Sequence, residues 1–339
     1  MIQILRVAGF AVALMLAASL DTLAATRSGK FIIGYAALNA RLAPLWLAEE
    51  QGFFAKYGID SQSVYLRGSP ILVTGLTSGD IHIGSGGGTA ALAAVAAGHD
   101  FKIVATFSCC NTYDLVVRPS IKRAEDLRGK KFSVTSIGGT SWMGVLLWLE
   151  HLGLDPQRDQ ITLQVIGDQT VQSQAIETGI VDAAALDGVF SRRLKQKGLT
   201  ILGEYSDLNQ HLVNQTAIVS HAFLQQRAES VENFLKAMIE ALAFTFALKN
   251  KPVVTKTIMR RLKITDPTMA EEGYQDLLRG VERKPFPSLE GLRNVQRLMK
   301  LRNPKIGEVK VESIVDSRIM RKLEGSGFID RVYAAQGLK

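Results

Sequence analysis

From Phe31 to Leu202 the chain alternates short β-branched runs with helical stretches, and this rhythm limits the fold more than any other feature. Strands fit at residues 31–35, 64–67, 81–84 and 102–107, with helices at 43–57, 70–78 and 90–97 between them. Pro44 suits a first helical position and Gly58 a left-handed cap, so 43–57 reads as one helix. Strands joined through covering helices imply a parallel sheet. The rhythm restarts after Arg118-Pro119, with strands at 132–135, 162–166, 183–186 and 200–202 and a helix at 141–152. Beyond Ser220 strands nearly vanish, and amphipathic helices at 231–248, 267–281 and 288–301 need a sheet or one another to cover. A short echo supports two similar halves: Thr77-Ser78-Gly79-Asp80-Ile81 resembles Glu177-Thr178-Gly179-Ile180-Val181. For 339 residues, two α/β units of about 150 residues or fewer, plus a helical tail, is the expected scale.

The formal charge of +8 invites a nucleic-acid or anionic-membrane reading. Residues 1–250 carry 21 Lys and Arg against 21 Asp and Glu, whereas residues 251–339 carry 19 against 11. The excess therefore sits in the C-terminal quarter, in runs no longer than two, which suits a solvated helical face. Neither nucleic acid nor stable membrane insertion is expected. Residues 1–24 read as a signal peptide, with Arg6, an apolar stretch over 7–20, and a cut after Ala24 with Ala25 as its rival. No later stretch reaches the ~20 apolar residues of a transmembrane helix. Both cysteines lie far from the cut, so a freely diffusing periplasmic protein is expected.

Searches for catalysis mostly fail. Gly139-Thr140-Ser141-Trp142 begins like a nucleophile elbow, but Met143 stands where the closing glycine is needed. The histidines at 82, 99, 151, 211 and 221 form no metal-ligand spacing, so no metal is expected. Gly84-Ser85-Gly86-Gly87-Gly88-Thr89 misses the dinucleotide spacing, and no phosphate-binding Walker sequence is present, so no cofactor is expected. Cys109 and Cys110 are adjacent: a bridge between them closes a strained small ring, and they read as two thiols near a strand end.

What remains is four loops rich in Gly, Ser, Thr and Asn that leave strands and enter helices, at 39–44, 68–69, 85–89 and 136–141. Such loops present unpaired N–H groups and a favourable dipole to an anion or polar oxygen. In open α/β sheets ligands bind beyond the carboxyl ends of strands, where all four lie.

Ala43-Pro44-Leu45-Trp46-Leu47-Ala48-Glu49, with Gly52-Phe53-Phe54-Ala55-Lys56-Tyr57-Gly58-Ile59-Asp60, resembles the first-helix motif of periplasmic solute-binding proteins for nitrate, sulfonates and taurine. The resemblance continues through 76–84, 125–134, 179–185 and 284–291, nearly the whole mature chain. It implies an α/β, two-lobed periplasmic binding protein fold of type II, with two hinge strands and a ligand cleft between the lobes. Residues 25–117 would begin lobe 1, 118–216 form lobe 2, and 217–339 return to lobe 1. The crossings would lie at 114–118 and 215–220, and the C-terminal helices would pack on lobe 1 and its hinge side.

By matching positions, the resemblance implies that Asn39, Arg41, Ala43, Ser69, Ser85, Gly86 and Thr89 line lobe 1's side of the cleft. Thr140 and Ser141 would meet the ligand from lobe 2, with Asp187 just beyond a strand. Arg41 either grips a carboxylate or sulfonate as a fork or faces solvent from its loop. Asp187 either favours an amine or hydroxyl on the ligand or caps its helix. Trp142 either stacks on a ring or sits in the core. The implied protein is a monomer that catalyses nothing and delivers a small anionic organic solute to an ABC permease and its ATPase subunit. Sulfonates, taurine, nitrate and aromatic carboxylates are the ligand classes in view. The alternatives are a thiamine-pyrimidine-precursor binding or synthesis protein and a sensing partner of a membrane receptor. Some members of the thiamine branch carry a CCCFC-type motif, and here only Cys109-Cys110 appear.

Overall fold

The computed structural model describes residues 30–110, 112–208 and 210–338, and the expected leader at 1–24 lies outside them. The first α/β run contains β1 (Phe31–Tyr35), a one-turn 3-10 helix (Ala40–Leu42), α1 (Ala43–Glu50), α2 (Phe53–Lys56), β2 (Ser61–Tyr65), α3 (Ser69–Ser78), β3 (Ile83–Gly86), α4 (Gly88–Ala96) and β4 (Phe101–Cys110). The second contains β5 (Tyr113–Val117), β6 (Lys131–Val134), α5 (Thr140–His151), β7 (Thr162–Val165), α6 (Gln169–Glu177), β8 (Ala183–Asp187), α7 (Gly188–Gln196) and β9 (Thr200–Gly203). The chain then runs through β10 (His211–Ser220) into a helical tail: α8 (His221–Gln226), α9 (Ala228–Phe246), α10 (Lys251–Leu262), α11 (Pro267–Gly280), α12 (Leu289–Met299), α13 (Arg318–Gly325) and α14 (Phe328–Ala335).

Two five-stranded sheets result, ordered β2-β1-β3-β10-β4 and β7-β6-β8-β5-β9. Both are mixed, where sequence rhythm implied parallel pairing. β1 and β3 are parallel, but β10 runs antiparallel to β3 and β4, and β5 runs antiparallel to β8 and β9. The cause is the crossing geometry. A chain that leaves a sheet at the end of β4, builds the whole second sheet and crosses back beside its point of exit re-enters at that same end, with His211 opposite Cys110, and must run back antiparallel.

This also moves the lobe boundaries. The boundary expected at 117/118 falls after β5, a strand of the second sheet, and that expected at 216/217 falls inside β10, a strand of the first. Residues 114–117 and 215–220 therefore lie within strands, and the crossings join β4 to β5 and β9 to β10. The helix expected over 43–57 is interrupted at Gly52, whose φ of 74° turns the chain between α1 and α2. The tail does not keep to lobe 1 either. α11 lies against α7 of lobe 2, where Arg192 Nε pairs with Glu272 at 3.1 Å, while residues 314–316 extend the first sheet beside Ile103. Many of the tail's cations pair with acids, among them Arg261 with Glu50, Lys322 with Glu232, and Arg297 with Glu150, as a solvated face requires. Trp142 is 1% exposed and belongs to the core. No helix among the described residues is long and apolar enough to cross a membrane.

Candidate functional site

The loops at the strand ends of the two sheets face each other across a cleft with about 650 Å³ of unfilled space, part of it open to solvent. Lobe 1 lines it with Asn39 and Arg41 after β1, Ser69 after β2, Ser85 and Gly86 from β3, and Asn214 and Gln215 from β10. Lobe 2 contributes Tyr113, Ser136, Thr140 and Ser141, and also Asp168 and Gln169 at the start of α6. Seven of the ten residues expected from the sequence thus meet here: Asn39, Arg41, Ser69, Ser85, Gly86, Thr140 and Ser141. Ala43 does not line the cleft, because it is fully buried in the first turn of α1. Thr89 is also buried, at 1% exposure, and outside the lining, and its hydroxyl has no hydrogen-bond partner.

Four helices open on this cleft; three of them, α3, α4 and α5, have Gly68, Gly87 and Gly139 as N-caps with no capping side chain, and α6 is capped by Asp168. Asp168, Ser220, Asp266 and Ser288, by contrast, cap their own helices. The first N–H groups of α4 and α5, and in α3 that of Ser69 ahead of Pro70, which has none, are left uncapped by side chains, and each helix brings roughly half a positive charge. Ser136 Oγ lies buried at the same place without a hydrogen-bond partner. The lobes nearly touch. A Cβ on Gly68 would lie 2.9 Å from Ser136 Oγ, and one on Gly87 would overlap Thr140 Cγ2.

At the cleft floor the structure departs from both expectations for Asp187. Its position is the N-cap of α7, yet the side chain caps nothing, and it does not line the cleft. Arg41 Nη1 donates to Asp187 Oδ1 at 2.6 Å, with the two side chains 3% and 7% exposed. Thr112 Oγ1 donates to the same oxygen at 2.8 Å, and Gln169 Nε2 donates to Oδ2 while its Oε1 accepts the Asp187 N–H at 2.7 Å. Arg41 also lies over the Tyr113 ring at 5.5 Å. It neither faces solvent nor presents a free fork. Burial works against its charge, but Asp187, with Tyr113 and Asp276 behind it, outweighs this and the guanidinium is held more firmly protonated than usual. Removing one member of such a pair costs about 3–5 kcal/mol, since the other is left buried and alone.

Asn39 is a positioning residue: its Oδ1 accepts the Arg41 N–H at 3.1 Å and starts the turn that carries Arg41. Ser141 Oγ accepts from the Thr135 N–H at 2.8 Å, and Ser85 Oγ from Gln215 Nε2 at 3.2 Å. Tyr113 OH donates to Thr140 Oγ1 at 3.3 Å, and burial, then the charge of Asp187, push its ionisation up to about 12. Sequence reasoning missed Tyr65, Tyr113, Asp168, Gln169, Asn214 and Gln215. A signal existed for Asp168, which follows a strand and Gly167 just as the other loop residues do. The cysteines lie elsewhere. Cys109 donates to Glu282, and Cys110 lines a separate cavity beside His211 and Arg279 at the crossings. Among the described residues no group of His, Cys, Asp and Glu is placed to hold a metal.

Two facing α/β lobes with a cleft at their strand ends are the periplasmic binding-protein fold. The NMT1/THI5-like family model matches residues 39–250, and the chain belongs to that family. A protein of Bordetella bronchiseptica superposes with a TM-score of 0.76 at 18% identity, covering 88% of this chain and 98% of its own. The alkanesulfonate-binding protein SsuA of Xanthomonas axonopodis, bound to MOPS, gives 0.70 at 20% identity, covering 86% and 100%. The periplasmic nitrate-binding protein NrtA of Synechocystis gives 0.67 at 16%, covering 88% of each chain. No curated protein sequence matches the chain significantly.

Proposed function

We propose that the protein is a periplasmic binding protein that captures a small organic anion, of the sulfonate or carboxylate class, for import. Delivery would be to an ABC permease driven by its ATPase subunit, and the protein itself would act as a monomer without a catalytic step. The observation that carries this reading is the set of three glycine-capped helix N-termini, from both lobes, facing one cleft. Together they offer N–H donors and partial positive charge without a bulky side chain between them and the ligand. The alkanesulfonate-binding protein of the same fold supports the solute class. Thr140 and Ser69, at the first helical positions of α5 and α3, would hold the anionic head from opposite lobes.

Native mass spectrometry and a thermal-shift panel of alkanesulfonates, aromatic carboxylates and pyrimidines on the mature protein test the reading. A true ligand at a hundred times its Kd adds about 2.7 kcal/mol to the folded state. A panel in which no compound stabilises the protein would remove the proposal.

A further inference from the structure

We propose that Asp187 sets the charge class of the ligand by acting as the built-in counter-ion of Arg41, so that the cleft discriminates against simple inorganic anions. This rests on the cleft being the ligand site. Arg41 is the only cationic side chain among the described residues lining the cleft, and it reaches from lobe 1 to a carboxylate supplied by lobe 2. That carboxylate is buried off the lining with both oxygens already engaged. One oxygen takes Arg41 and Thr112, the other takes Gln169, and the whole residue is 5% exposed.

An anion entering beside Arg41 therefore meets a matched pair. To use the guanidinium it must either displace Asp187, stranding a buried carboxylate, or join it and place net negative charge in a low-dielectric floor. The lining also holds Asp168, which repels a second time. What attracts an anion is then confined to the helix N-termini, whose partial charges suit a single delocalised head. The rest of the binding free energy must come from the organic body of the ligand, which nitrate and sulfate lack. Asp187 is in this sense a positioning residue that decides specificity through Arg41.

The test uses nitrate and sulfate as probes, titrated calorimetrically into the mature wild-type protein and the Asp187→Asn variant. Asn keeps the shape and removes the charge, leaving Arg41 without its bonded counter-ion and with only the more distant Asp276 as a buried carboxyl near it. Expected is at least tenfold tighter binding of both anions by Asp187→Asn, with the gain lost in Asp187→Asn/Arg41→Gln. Asp187→Ser is a second neutral variant should the first fail to fold, and circular dichroism checks each. Micromolar nitrate or sulfate binding by the wild type overturns the proposal, as does a folded neutral variant that binds no tighter. Because the probes are inorganic, a failed organic panel leaves these outcomes readable, and failure here leaves the import reading standing.

Discussion

Asp276, on α11, is 5% exposed, and neither carboxylate oxygen has a hydrogen-bond partner, with Arg279 Nη1 only as near as 3.8 Å. Burial raises its pKa to about 6, Arg192 opposes the rise, and Asp187 and Asp114 add to it. A carboxyl whose folded pKa lies above its unfolded value favours folding while protonated. That contribution is full below about pH 4 and is lost as the pH rises through about 6. Asp276→Asn should therefore match the wild type near pH 4 and exceed it by about 2 to 3 kcal/mol at pH 7.5. Urea unfolding at the two pH values checks this, and a difference that does not change with pH would refute the assignment. At this scale the sequence is a partial guide. Arg41 and Asp187 both stand out as charged residues in strand-end loops, but their pairing depends on two segments far apart in the chain.

Among the elements, strands and helices were largely legible because the periodicity that defines them is local. The exceptions are instructive. Gly58 and Gly52 both take positive φ, 72° and 74°, and only the first was read as a stop, because apolar residues continue across the second. Gly52 has nothing within 4 Å of a Cβ position, so an alanine there meets backbone strain and no clash. Gly52→Ala should destabilise the protein by about 1–2 kcal/mol, measured by equilibrium denaturation with unchanged m-value. Stability equal to the wild type would mean that α1 and α2 can fuse without penalty. The tail's helices were also foreseen, yet α11 sits against lobe 2, because Gly273 lets Val189 of α7 pack closely.

For the whole molecule, the import reading implies that the lobes close on a ligand. Gly87 has φ −75° and ψ 161°, a conformation alanine adopts freely, so its lack of a side chain is explained by Thr140 across the cleft. Gly87→Ala should leave the unliganded fold as stable as before while obstructing closure. A loss of ligand affinity of tenfold or more, about 1.4 kcal/mol, with unchanged melting of the empty protein, is expected. Small-angle scattering with saturating ligand should then report a more extended particle than wild type. Unaltered affinity would show that the lobes need not approach this closely.

The sequence by itself determined the α/β rhythm, its restart, the helical tail and the uncapped glycine loops, since each is written in residues a few positions apart. It also carried the family resemblance, from which seven of the cleft-lining residues followed. Only the tertiary structure decided the strand order, the two crossings and the partner of Arg41. Those depend on which distant segments the closed chain brings together, and a buried charge takes its meaning from whatever counter-charge the fold puts beside it. That is why the guanidinium that looked like a ligand clamp is already matched by Asp187 at 2.6 Å.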